Sequence, residues 1–181
     1  MKLQLTAEEK AILLDTAREA VTARLEGREP RYAQPTRLLK KNCGAFVTLH
    51  KAGRLRGCIG FIVARKPLIE TVAEAALSSA FNDPRFPPLS RRELREIEIE
   101  ISALSPLRRI HSVEEIQVGV HGISLRRGFH SGLLLPQVAS EYGWDRETFL
   151  THTCYKAGLP GDCWRSGEAE IEVFSAMVFS E

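Results

Sequence analysis

Apolar residues recur at Ile12, Leu13, Ala17, Ala20, Val21 and Leu25, the three-to-four spacing of one helix face. Thr6 with Glu9 three residues on makes a capping box and Gly27 a stop, so the pattern predicts a helix over residues 7–26. Residues 28–43 carry two prolines and no period, and predict an extended connection over the surface. From Gly44 the period becomes two, with Ala45, Val47 and Leu49 on one face and Phe46, Thr48 and His50 on the other. A turn at Lys51–Arg54 and a second strand over Leu55–Ile62 complete an antiparallel hairpin.

Pro67 opens a second helix that reaches Phe81, and Ser90 with Glu93 caps a short helical turn. Glu96–Leu104 alternates glutamate with isoleucine, the pattern of a strand with one wet face. Beyond it come a short helix at Ser112–Glu115, a strand over Val118–Leu125 and a turn over Arg126–Gly132. A brief strand at Gly132–Pro136 leads into a helical turn at Gln137–Tyr142, and Asp145 caps a helix stopped by Gly158. The closing strand over Ile171–Phe179 becomes apolar on both faces, which predicts a central place. The sum is an α+β fold, a mainly antiparallel sheet with flanking helices.

The chain has 181 residues, 44% of them apolar, which is enough to bury a core without covalent staples. A net charge of +2 with both signs interspersed argues against a dedicated duplex-DNA binder. No apolar run reaches the roughly 20 residues of a membrane span, and charges at Glu8, Glu9, Lys10 and Asp15 interrupt the N-terminal stretch, so no membrane association and a cytoplasmic location are expected. The four cysteines form no C-x-x-C pair and the five histidines no zinc spacing, so no metal is expected. Cys154 and Cys163 stand nine residues apart, which permits a disulfide only in an oxidising compartment. Phosphate-loop, dinucleotide, H-E-x-x-H and G-x-S-x-G motifs do not occur, so no cofactor is expected.

Cys58 is the sharpest candidate for chemistry. It lies between Gly57 and Gly60 beside Arg56, where missing side chains weaken a strand unless something must approach its backbone. An adjacent arginine favours a thiolate nucleophile, and His50 across the hairpin or His121 near Gly119 and Gly122 could serve as its base. A free cysteine is equally a small core residue, and a lone histidine a structural one. In the loop Asn82–Pro88, three prolines give Asp83 and Arg85 defined directions, either as carboxylate and anion clamp for a substrate or as an internal pair. Gln137 beside Pro136 is a polar group needing buried partners. Glu96, Glu98 and Glu100 read as a solvated sheet face.

Leu55-Arg56-Gly57-Cys58-Ile59-Gly60 comes after Gly44–Leu49 and is followed by Asp83-Pro84-Arg85-Phe86 and Gly132–Val138. With Lys156–Pro160 and Trp164, this series resembles the AMMECR domain, known in prokaryotes as AmmeMemoRadiSam system protein A, over nearly the whole chain. The resemblance implies one domain over residues 1–181, built as a larger part packed on a smaller one, with the Leu55–Gly60 strand near a cleft between them. It implies partnership with a Memo-like protein and a radical S-adenosylmethionine protein, and a site at Arg56, Gly57, Cys58, Gly60, Asp83 and Arg85. It supplies no reaction.

Two classes of function stay open. In one, Cys58 acts in a thiol-dependent enzyme or enzyme subunit on a nucleotide- or nucleic-acid-related substrate, with Arg56 lowering its pKa and Arg85 holding a small anionic ligand. In the other, the protein is a non-catalytic adaptor or ligand carrier for the two partners. A third class is nucleic-acid binding through basic segments such as Arg37–Lys41, Arg91–Arg95 and Arg126–Arg127, although such runs are usually solvated faces.

Overall fold

In the computed structural model, which describes residues 3–63 and 65–181, helix α1 runs Ala7–Glu26. The Thr6–Glu9 capping box closes reciprocally at its start, and Gly27 ends it in the left-handed conformation. The chain divides into two compact units, a first of Leu3–Leu104 with Met177–Glu181 and a second containing Ser105–Ala176.

The first unit holds strands β1 (Ala45–Lys51) and β2 (Arg54–Phe61), helix α2 (Leu68–Phe81) and strand β3 (Ile97–Leu104). β1 is central, antiparallel to β2 on one side and to β3 on the other. The period-two pattern explains which face is covered: Val47, Leu49, Ile99 and Ile101 are fully buried, in one core with Leu13 and Val21 of α1 and Leu68 and Val72 of α2. Thr48, His50, Glu98 and Glu100 alternate with these buried residues and share the opposite face.

Three details differ from the sequence expectations. Pro67 stands just before α2 as its N-cap rather than as its first residue. The 28–43 connection is not confined to the surface: Leu39 and Cys43 are buried, and the Ile69 and Leu68 N–H groups donate to the carbonyls of Leu39 and Lys41. One leucine in an aperiodic stretch leaves no pattern to detect. In β2, a register shift opposite Leu49 and His50 leaves Arg56 without a partner across the hairpin.

In the second unit, β5 (His121–Arg127) pairs with β6 (His130–Leu134) and with the first half of β7 (Glu170–Ser180), which also pairs with the short β4 (Arg108–Arg109). The expected strand start at Val118 moves to His121, because Gln117–Val120 closes a turn with Gly119 at φ +80°. The expected turn over 126–132 narrows to Gly128 and Phe129, since Arg127 pairs with His130. Helices α3 (Pro136–Tyr142) and α4 (Arg146–Lys156) complete the unit, and Phe149, Leu150, Ile123 and Leu125 fill its core. A disulfide joins Cys154 of α4 to Cys163. Both units combine helices with antiparallel strands, so the fold is α+β. Among the described residues no helix is long and apolar enough to cross a membrane.

Candidate functional site

Cys58 sits on β2 directly across from Thr48 of β1, and Thr48 in turn across from Glu100 of β3. Side chains opposite one another on neighbouring strands lie on one face, with Cβ atoms roughly 5 Å apart. The Thr48 hydroxyl donates to Cys58 Sγ at 3.3 Å. His50 and its cross-strand neighbour Glu98 occupy the next row of that face. Cys58 is a half-buried free thiol, whereas Cys43 is buried and burial pushes its thiol pKa up.

The backbone of Cys58 is held from both sides by the proline-rich loop. Its N–H donates to Asp83 Oδ2 at 2.9 Å, and its carbonyl accepts from Arg85 Nη2 at 3.3 Å. Asp83 also accepts from the Arg85 backbone N–H and from its Nε and Nη2. The side chain of Asp83 is 1% exposed and that of Arg85 is 53% exposed, so the carboxylate faces inward and its guanidinium partner outward. The Arg85 guanidinium is the main cause that holds the Asp83 carboxyl well below the usual range; burial opposes it, and the two backbone N–H donors assist. Asp83 therefore positions Cys58 and Arg85.

Arg56 is directed elsewhere. Its guanidinium is buried against Glu93, with Nε to Oε1 at 2.9 Å and Nη2 to Oε2 at 3.1 Å, and Nη2 also donates to the Pro87 carbonyl. Its charge is therefore matched by Glu93, whose pKa falls to about 2, chiefly through Arg56 and then through the Ser90 N–H and hydroxyl and Lys51. The Arg56–Glu93 and Asp83–Arg85 pairs are two clamps that fasten β2 to residues 82–95.

The two glycines answer to packing. A Cβ on Gly57 would stand 2.2 Å from the Ser79 carbonyl oxygen in the last turn of α2. One on Gly60 would meet the ring of its cross-strand neighbour Phe46 at 2.3 Å. Close approach to the β2 backbone, inferred from the sequence, is thus made by α2 and Phe46. Ser79 seals the first contact, donating to the Val47 carbonyl and accepting from the Ile59 N–H.

The remaining candidates belong to the second unit. His121 begins β5, where its Nδ1 accepts from the Gln117 N–H at 3.2 Å. Gln137 lies in the first turn of α3 with Oε1 buried and without a protein hydrogen-bond partner. Sequence reasoning passed over Thr48, Glu93 and Ser79. Thr48 was only roughly open to discovery through hairpin register, since a two-residue turn at Ala52–Gly53 alone would set it opposite Gly57 and the register shift in β2 moves it opposite Cys58. Glu93 had no such signal, being read only as a local cap. Among the described residues, no group of three or more His, Cys, Asp or Glu side chains is arranged to hold a metal ion.

Comparison with known proteins places this geometry in a family. The AMMECR1 family profile matches residues 14–179. Protein MK0488 of Methanopyrus kandleri is 49% identical, in an alignment covering 98% of this chain and 91% of the relative. A protein of Methanothermobacter thermautotrophicus is 44% identical, with 98% and 96% covered. The crystal structure of the uncharacterized protein PH0010 from Pyrococcus horikoshii superposes with a TM-score of 0.84 at 38% identity, covering 99% of this chain and 94% of that one. The chain belongs to the AMMECR1 family.

Proposed function

We propose that this protein is a component of the AmmeMemoRadiSam system, and that the open face of β1–β3 presents the Cys58 thiol to a small anionic substrate. The conjunction of Cys58 with Arg85 carries this reading. A half-buried free sulfur stands on a backbone fixed at both its N–H and its carbonyl, and the cation that fixes the carbonyl is half exposed. The Arg85 guanidinium, paired with Asp83 on its inner side and half exposed, can also meet a carboxylate or phosphate beside the sulfur. His50, one row along the same face, is the nearest candidate by register for a base. A nucleotide would satisfy the anionic requirement. His121 and Gln137 carry no role in this proposal.

Paired alkylating agents test it. Iodoacetate and iodoacetamide deliver the same carbon to a thiol and differ in charge. Cys58 is expected to react ahead of buried Cys43, and the iodoacetate-to-iodoacetamide rate ratio at Cys58 is expected to fall about five-fold in Arg85→Gln, the loss of one close charge interaction at a surface. An inert Cys58 in the folded chain, or an unchanged ratio, overturns the proposal.

The adaptor reading draws on a separate observation: the charges around Cys58 are spent in internal pairs, Arg56 with Glu93 and Asp83 with Arg85. Its signature is a Cys58→Ser chain that still captures the Memo-like and radical S-adenosylmethionine proteins and supports their joint reaction unchanged.

A further inference from the structure

In the second unit, four rings form a chain of contacts over α3 and α4. Trp144 stacks on His152 at 3.9 Å with 8° between the planes, and on Tyr142 at 5.0 Å with 17°. Tyr142 and His152 have no contact with each other, so they cover opposite faces of the indole. Tyr155 closes the far end, edge-on to His152 at 5.7 Å.

The path of the chain fixes this order. Gly143 ends α3 in the left-handed conformation at φ +63°, and that reversal brings Trp144 against Tyr142. The Trp144 N–H donates to the Ala139 carbonyl at 2.9 Å, and Asp145 then starts α4 as its N-cap. Trp144 packs against the core of the unit, so burial accounts for it. Burial does not account for Tyr142, which is 69% exposed. One face of its ring lies on the indole, and the other meets no ring or guanidinium among the described residues. A large ring held in the open by a stack behind it is a preformed platform, so binding to it orders little.

The neighbouring charges select what the platform takes. Glu141 precedes Tyr142, and Asp145 follows Trp144. Among the described residues neither carboxylate enters an ion pair, although Asp145 accepts from the Thr148 N–H as a cap. The nearby guanidiniums are matched: Arg146 pairs with Glu114 and donates to the Ile116 carbonyl, and Arg165 pairs with Glu147. His152 lies behind the indole. At the other end, Lys156 follows Tyr155, and Asp162 follows the Gly161 that lies against the Tyr155 hydroxyl, so these two offset one another. The Tyr142 end is therefore left negative. Like charge disfavours a nucleotide there, and a neutral ring gains nothing from carboxylates. A guanidinium meets both demands, because it is flat enough to stack on the ring and keeps its N–H groups for carboxylates at the edge.

We propose that Tyr142, with Glu141 and Asp145, is a docking point for an arginine side chain carried on a basic segment of a partner protein. The site lies within the second unit and does not depend on the Cys58 proposal. The probes are a pentapeptide of alternating glycine and arginine with blocked ends, its lysine counterpart, and uridine 5′-monophosphate. The protein has three tyrosines, so ring-labelled tyrosine gives three sets of NMR signals, and Tyr142→Phe assigns one set by its loss. The amide signal of Gly143, next in the chain, follows binding where that ring is replaced.

The arginine peptide is expected to shift the Tyr142 ring saturably while the Tyr32 ring stays in place. The lysine peptide, equal in charge but without a flat cation, is expected to bind about three-fold more weakly, the worth of a stacked guanidinium at an exposed ring. Tyr142→Ala is expected to erase that preference, and Tyr142→Phe, which keeps the ring, to retain it. Glu141→Gln together with Asp145→Asn, which preserves the cap, is expected to weaken the arginine peptide about ten-fold. Ring shifts that never saturate, equal binding of the two peptides to the unaltered chain, or tighter binding by the nucleotide overturns the proposal.

Discussion

Cys163 and Cys58 lie in different units and are held by opposite means. Cys163 is buried and bonded through its sulfur to Cys154, so the atom that could do chemistry is the atom that fixes the chain. Cys58 is fixed through its backbone, by Asp83 at the N–H and Arg85 at the carbonyl, while its sulfur accepts a hydrogen bond from the Thr48 hydroxyl. The second arrangement costs more polar machinery, since a buried carboxylate must be matched by a cation and by several donors. It is worth that cost where the thiol has to stay available. The covalent staple serves where only the path of the chain matters.

The comparison breaks most sharply at Gly57. Noncovalent fixing works only if β2 lies tight against α2, and an added methyl would come within 2.2 Å of the Ser79 carbonyl oxygen, a backbone atom that cannot turn aside. Gly57→Ala is therefore expected to destabilise the fold by about 3 kcal/mol, the upper part of the usual range for overpacking. Urea denaturation measures this directly. A loss under about 1 kcal/mol, within the tolerance of a relaxed contact, would mean that the strand is not pressed on the helix as described.

The covalent side is tested by replacing both cysteines. Cys154 and Cys163 close a short loop with a sequence separation of nine. Chain-entropy arguments assign such a loop about 2.5 kcal/mol, so Cys154→Ala with Cys163→Ala should lower stability by about that amount. Cys58 should then alkylate as it does in the unaltered chain, because its clamps lie in the other unit. If its reactivity rises instead, the two ways of holding a cysteine are not independent.

What the sequence made legible follows from the range over which each signal acts. The α1 capping box, the β1–β2 hairpin and the wet face of β3 depend on residues within a few positions of one another, and all three are found. The cysteine also stood out, because glycines inside a strand demand a reason. What approaches those glycines could not be read, since Ser79 is 22 residues from Gly57 and its close contact is a backbone atom with no residue preference. The pairing of Arg56 with Glu93 was hidden for a related cause: a register shift in β2 sends Arg56 away from the alternation that a regular strand predicts. Asp83 and Arg85 read from the sequence either as a substrate clamp or as an internal pair, and the structure shows them bonded to each other and to the Cys58 backbone. Leu39 had neither a period nor a motif around it, so its burial in the first unit was not open to local reading.

The finest test separates an ionic clamp from a covalent one by acid. Glu93 has its pKa lowered from 4.5 to about 2 by Arg56 first, with the Ser90 and Lys51 hydrogen bonds adding to the effect. Because the folded value lies below the unfolded one, the unfolded chain binds more protons between them, and stability must rise with pH across that interval. The contribution is complete above about pH 5 and disappears as the pH falls towards 2. Glu93→Gln keeps the shape and removes the titration. It is expected to be less stable than the unaltered chain by about 1.5–3 kcal/mol near neutrality, the net value of a hydrogen bond to a charged group. The gap between the two should close steadily from pH 5 to pH 2. Taking the difference between the chains at each pH cancels the parallel titrations of Asp83 and Glu115, which both chains share and which are also lowered in the folded state. A gap that stays constant over that range would show that Glu93 holds Arg56 by shape and not by charge, and the first unit's clamp would then be no more sensitive to acid than the disulfide of the second.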